Sequence, residues 1–117
     1  MIKIIATLLT LFAFNVSHAK VNVGIILGFT GPIETLTPGM SAGAELAFNE
    51  AADSGKLLNG QSINIIKVDS TCVDSAAATS AAESLISQGV TAIMGADCSG
   101  VTGAVLSNVA VPNGVPM

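Results

Sequence analysis

A chain of 117 residues with eight carboxylates, four basic side chains and a net charge of −4 presents no basic surface for nucleic acid or for an anionic membrane. Half of its residues are hydrophobic and 10% are charged, which is the balance of a globular domain and not of a disordered tail. It has no Trp or Tyr, and its one histidine is His18, so large aromatic anchors and imidazole ligands are scarce.

Residues 1–19 read as a cleavable secretory leader. Lys3 supplies the positive start, Ile4–Val16 the apolar run, and Ser17-His18-Ala19 the small residues that a signal peptidase inspects. The run falls short of the about 20 residues that a membrane span needs, which disfavours an anchor. No cysteine follows the cleavage point, so no lipid anchor is expected there. The mature chain is expected to begin at Lys20 and to have no membrane span. It carries three lysines and eight carboxylates, a net charge of −5, and residues 20–117 are enough for one small domain.

Val21–Leu27 is a short apolar, β-branched run, as expected of a strand buried on both faces. A loop rich in Gly, Pro and Thr covers 28–39. Helical spacing follows, with Met40, Ala44, Ala47, Phe48 and Ala51 sharing one face. Gly43 on that side is expected to let the helix sit close to a sheet. Asp53-Ser54-Gly55 ends the helix, with Gly55 suited to a left-handed position. Leu57-Leu58-Asn59-Gly60 reads as a turn. Ser62–Val68 is a second strand, and Asp74 or Ser75 caps a second helix with Ala78, Ala81, Ala82, Leu85 and Ile86 on its inner face. Gly89 stops it. Val90–Met94 is a third strand. Val101–Val109 is weakly helical, with Val101, Ala104, Val105 and Asn108 on one side. Pro112-Asn113-Gly114 is a turn, and Val115–Met117 begins a fourth strand.

Strands and helices therefore alternate, without an internal repeat. The expected fold is α/β, a three-layer Rossmann-like lobe on a parallel sheet. In such sheets the ligand site lies beyond the carboxyl ends of the strands, which singles out the loops 28–39, 69–73 and 95–100. Both cysteines, Cys72 and Cys98, fall in these loops. Export into an oxidising compartment favours a structural disulfide over a redox or metal pair, because the spacing is not C-x-x-C and the mature chain has no histidine. Such a bridge contributes about 3 kcal/mol in the chain-entropy picture. If the first strand lies between the other two, the bridge has to arch over its end, and spacing alone leaves its closure open.

The stretch Gly95–Thr102 joins a strand to a helix start, where backbone N–H groups favour an anion such as a small ligand's carboxylate. Ser99 either adds a hydroxyl to that site or merely caps the helix. Thr30-Gly31-Pro32 is a tight turn on the same rim, whose backbone can approach a ligand. No dinucleotide fingerprint opens the first helix, so no cofactor is expected. No G-x-S-x-G elbow occurs and the mature chain lacks a histidine base, so no catalytic residue or metal site is expected. Asp69, Asp74 and Asp97 are explained by caps and loops.

These residues resemble a known family. Thr30-Gly31-Pro32, Gly43-Ala44-Glu45-Leu46-Ala47, Asp69-Ser70-Thr71-Cys72 and Gly95-Ala96-Asp97-Cys98-Ser99 together resemble the N-terminal lobe of the type I periplasmic solute-binding proteins, in the branched-chain amino acid group that serves ABC importers. The resemblance covers 20–117. It implies half of a two-lobed fold that closes over a small ligand, a periplasmic location, an ABC permease as partner, and a Cys72–Cys98 bridge. It implies that Ser99 and Thr102 hold the amino and carboxylate groups of an amino acid, beside Cys98. The loop with Thr30 and Gly31 would line the ligand's side chain. Glu34–Pro38 departs from relatives that place an aromatic residue there, which leaves the side-chain preference open. The second lobe is missing, so the chain is expected to be a fragment that binds no amino acid appreciably by itself. The competing functions are a sensory ectodomain of the same fold and, less favoured, a small-amide hydrolase whose catalytic residues lie elsewhere.

Overall fold

A computed structural model describes residues 20–56 and 60–117. The expected leader and the Leu57–Asn59 part of the expected turn lie outside the described residues. Three strands, β1 (Val21–Leu27), β2 (Ile63–Asp69) and β3 (Ala92–Gly95), form a parallel sheet in the order β2-β1-β3. The register runs from Val21 opposite Ile63 to Leu27 opposite Asp69 on one side, and from Val23 opposite Ala92 to Ile26 opposite Gly95 on the other. β1 has the expected bounds. β2 is shifted by one residue and β3 starts two residues late. The late start has a local cause: the Val90 amide still donates to Leu85 O, and the Thr91 amide is the first to reach β1, at Asn22 O.

The central strand is buried on both faces, as its unbroken apolar run demands. Val23, Ile25 and Leu27 face α1 (Thr37–Asp53), while Gly24 and Ile26 face α2 (Ser75–Ser87) and α3 (Ser99–Val105). Chain direction across the sheet reverses after β2, so crossovers of one hand place α1 and α2 on opposite faces. The result is the expected three-layer α/β arrangement.

The inner face of α1 corrects the expectation. Helix starts at Thr37, with Pro38 in the first turn, where its missing N–H costs nothing. The expected face holds in part: Ala44, Phe48 and Ala51 are half-buried, Met40 and Ala47 are exposed, and the fully buried positions are Thr37 and Ser41. Hydrogen bonding overrides the apolar stripe: Thr37 Oγ1 donates to Gly28 O at 3.1 Å, and Ser41 Oγ donates to Glu45 Oε1 at 2.7 Å. Gly43 does not serve close packing, for a Cβ there would meet nothing within 4 Å. The close approach lies in the strand instead. A Cβ on Gly24 would come within 2.6 Å of Leu85 Cδ1, so the glycine makes the hollow into which Leu85 of α2 fits.

α2 follows its expected pattern. Asp74 is the N-cap, accepting from the amides of Ala76 and Ala77, and Ala78, Ala82 and Leu85 are buried. α3 runs on through a π-helical turn (Leu106–Ala110) into α4 (Val111–Asn113), so the expected turn at 112–114 is still helical up to Asn113. Pro112 has no amide to give Asn108 O, and a wider turn accommodates that loss. The wider turn also brings Val109 and Ala110 inward together, leaving Asn108 exposed where an inner position was expected. Asn113 Nδ2 donates to Val109 O at 2.8 Å, and Gly114, at φ +64°, ends the helix. Residues 115–117 are not a strand, but the Ile93 amide donates to Pro116 O at 2.9 Å, so the segment lies against the outer edge of β3.

The largest buried side chain that α2 contributes to the core is Leu85, which is fully buried. Leu85→Ala is expected to cost about 2–5 kcal/mol in urea denaturation, against a change within about 0.5 kcal/mol for exposed Leu46→Ala. Equal effects from the two substitutions would contradict this packing.

Candidate functional site

The chain leaves β1 toward α1 on one face, and leaves β2 and β3 toward α2 and α3 on the other. The loops after β1 and β3 therefore diverge beside the end of the central strand, which is the switch point where open α/β sheets place ligands. Three connections meet at this rim: 28–36, 70–74 and 96–98.

The cysteines close the rim. Cys72 and Cys98 form a disulfide with Cα atoms 5.2 Å apart, joining the loops after the two outer strands. β1 lies between them, so the bridge arches over its end. Gly28 sits under the arch. A Cβ there would be 3.2 Å from Cys72 Cβ, 3.2 Å from Ile33 Cγ1 and 3.4 Å from Asp97 Oδ2. Gly95 is fixed as strictly: at φ +121°, a Cβ would fall on Ile26 O. Gly31, at φ +95°, brings the first loop so near the second that a Cβ would lie 2.6 Å from Thr71 O.

Two carboxylates knit the same loops. Asp97 Oδ2 accepts from the Gly28 amide at 2.6 Å, and its Oδ1 accepts from Ser70 Oγ at 3.2 Å, so it reaches from β3 across β1 to β2. Ser70 is fully buried. Asp69 accepts from the Thr30 hydroxyl, from the Thr30 amide at 3.3 Å and from the Thr71 amide at 2.8 Å. Partial burial pushes the Asp69 carboxyl up, but the Thr30 hydroxyl and the amides of Thr71, Thr30 and Phe29 outweigh it and hold the group below its ordinary value. Thr71 and Cys72 both adopt left-handed backbone, at φ 58° and 69°. That conformation costs non-glycine residues about 1–2 kcal/mol each, and the Asp69, Ser70 and disulfide contacts hold it in place.

The residues singled out from the sequence gather here, with distinct roles. Ser99 is exposed at the first position of α3 and is not the cap; Cys98 is the N-cap residue, and it makes no side-chain capping bond. Among the described residues the Ser99 hydroxyl has no hydrogen-bond partner. Thr102 is half-buried, and its hydroxyl donates to Ala96 O at 3.0 Å and Cys98 O at 2.9 Å. Thr30 is exposed, with its hydroxyl proton committed to Asp69. Sequence reasoning missed Ser70 and the linking roles of Asp69 and Asp97; their only signal was their place just after strand ends. Among the described residues, no group of His, Cys, Asp and Glu is arranged to hold a metal ion, and no helix is long and apolar enough to cross a membrane. A separate groove lies between α1 and the β2 edge, beside the Glu45–Lys67 ion pair of 3.0 Å.

Asp69→Asn is expected to lower stability at pH 7 by about 1.5–3 kcal/mol, the range for hydrogen bonds to a charged group. Folding holds this carboxyl below its unfolded value of about 3.9, so its contribution is complete above that pH and is lost as pH falls through the folded value. Urea denaturation should therefore show the gap between wild type and variant narrowing below about pH 4. A gap constant down to pH 2 would contradict a charged role.

Known proteins share this architecture. A family model described as periplasmic binding protein matches residues 20–117. The isoleucine complex of a branched-chain amino acid transporter substrate-binding protein from Streptococcus pneumoniae is 28% identical, with a TM-score of 0.73 over 84% of this chain and 28% of that one. An ABC transporter solute-binding protein from R. palustris, in complex with benzoate, is 28% identical, with a TM-score of 0.69 over 83% of this chain and 26% of its own. A possible leucine/isoleucine/valine-binding protein from Rhodopirellula baltica, at 21% identity and a TM-score of 0.77 over 90% of this chain and 28% of that one, shares the fold. The chain thus spans little more than a quarter of these proteins' length. Among curated proteins none matches. The chain belongs to the periplasmic binding protein family, and its fold is that of a type I lobe.

Proposed function

We propose that residues 20–117 are the N-terminal lobe of the solute-binding component of an ABC importer, carried to the periplasm by a leader at 1–19. Its solute is a small molecule with a carboxylate, an amino acid of the branched-chain kind or a close relative. Its partner is the importer's permease. Ser99, Thr102, Cys98, Thr30 and Gly31 line the lobe's side of the cleft. The lobe captures solute and performs no chemistry.

The observation that carries this reading is the stapled rim at the switch point, with the Ser99 hydroxyl uncommitted at its centre. The helical run from Ser99 to Asn113 starts there, and its first amides have no partner further back in the helix. Amides and a hydroxyl are donors, and donors suit a carboxylate. The relatives whose complexes hold isoleucine and benzoate both carry carboxylate ligands, which supports the class and leaves the rest of the solute open.

One wall desolvates a solute poorly, so tight binding needs a facing lobe. In calorimetry this chain is expected to bind leucine, isoleucine, valine and benzoate no tighter than about 1 mM. At tens of millimolar, amide NMR shifts are expected to move at 28–31 and 96–102. Shifts confined to the groove between α1 and β2 would overturn the assignment, and micromolar binding would overturn the need for a second wall.

A further inference from the structure

We infer that Asp97 is a positioning residue of the solute site. The inference rests on the reading of the rim proposed above. Of the carboxylates on the rim, Asp69, Asp74 and Asp97 accept hydrogen bonds from the chain itself, and Glu34 of the first loop is exposed. Asp74 accepts from the amides of Ala76 and Ala77 at 2.9 and 3.0 Å and caps α2. Asp69 is held by Thr30 and Thr71. Asp97 has one partner on each oxygen, the Gly28 amide and the buried Ser70 hydroxyl.

The placement of Asp97 makes it more than a loop residue. It directly precedes Cys98 and Ser99, and its carboxylate reaches sideways under the disulfide, across the end of β1. Its two bonds fix how far Ser99 stands from the first loop and from the second. The disulfide alone ties the second loop to the third and leaves the first untied; Asp97 adds the first. The hydroxyls of Thr30 and Thr102 have spent their protons on Asp69 and on the carbonyls of Ala96 and Cys98. Of the candidate hydroxyls, Ser99 alone keeps a proton for the solute.

Amide NMR on the full chain tests this role. Without solute, Asp97→Asn is expected to move the Gly28 and Ser99 signals and to speed exchange of the Gly28 amide. Asp74→Asn should leave them in place, since Asn caps a helix as well as Asp. Ser70→Ala leaves the carboxylate and removes one partner, so it gives a smaller shift of the same kind if Asp97→Asn does not fold. With solute, leucine and 4-methylpentanoate, the same skeleton without its amine, should both perturb Ser99, each with its own initial slope. Asp97→Asn should reduce both slopes by the same factor, about tenfold for one lost charge-assisted bond. A Ser99 signal unmoved by Asp97→Asn would overturn positioning. A leucine preference that vanishes in that variant would make Asp97 an amine ligand instead. If neither solute perturbs the rim, the proposed function fails, while the solute-free spectra still decide the role of Asp97.

Discussion

The amide of Gly28 donates to Asp97 across the end of the central strand, beneath the bridge from Cys72 to Cys98, and three loops take their positions from that point. The arrangement depends on β1 lying between the other two strands. A parallel sheet of this order has its outer loops on either side of a strand end that must stay bare, because any side chain at 28 would press on Cys72, Ile33 and Asp97. The bridge gives the rim its span, the two aspartates set the spacing within it, and the left-handed turn at Thr71 and Cys72 is held by both.

Rigidity of this kind has a use in a solute-binding lobe. A wall whose loops are already ordered loses little further entropy when a solute arrives. The carboxylates of Asp69 and Asp97 are the means of that order. Asp69 and Asp97 stand where catalytic acids stand in many α/β enzymes, yet their oxygens face amides and hydroxyls of the chain itself.

Much of this was legible in the sequence. The apolar runs placed all three strands within two residues, because burial on both faces leaves little choice of composition. Asp74 and the Ala/Leu stripe of the second helix were legible for a similar reason: a cap and a 3.6-residue period are local signals. The inner face of α1 was legible only in part: Ala44, Phe48 and Ala51 lie on it, but its fully buried positions are Thr37 and Ser41, whose hydroxyls bond Gly28 O and the helix's own Glu45, and a hydropathy stripe cannot register that. The glycine that admits close packing was sought in the helix and lies in the strand, since the clash that Gly24 avoids is with Leu85, sixty-one positions away in sequence. The cysteines were legible as a pair from compartment and placement, whereas the arch they make depends on strand order. The links through Asp69 and Asp97 are long-range, and nothing in their neighbours signals them.

The contact between the Ile93 amide and Pro116 O gives the sheet a direction. On the β2 side, the exposed Asn64 and Lys67 blunt an edge that would otherwise pair with any passing strand. On the β3 side the backbone already engages the chain's own next segment, with Val115 and Met117 packed against the core. Among the described residues the two edges of the sheet therefore differ: the outward margin of β3 is a seam for the chain itself, and the β2 margin carries polar side chains.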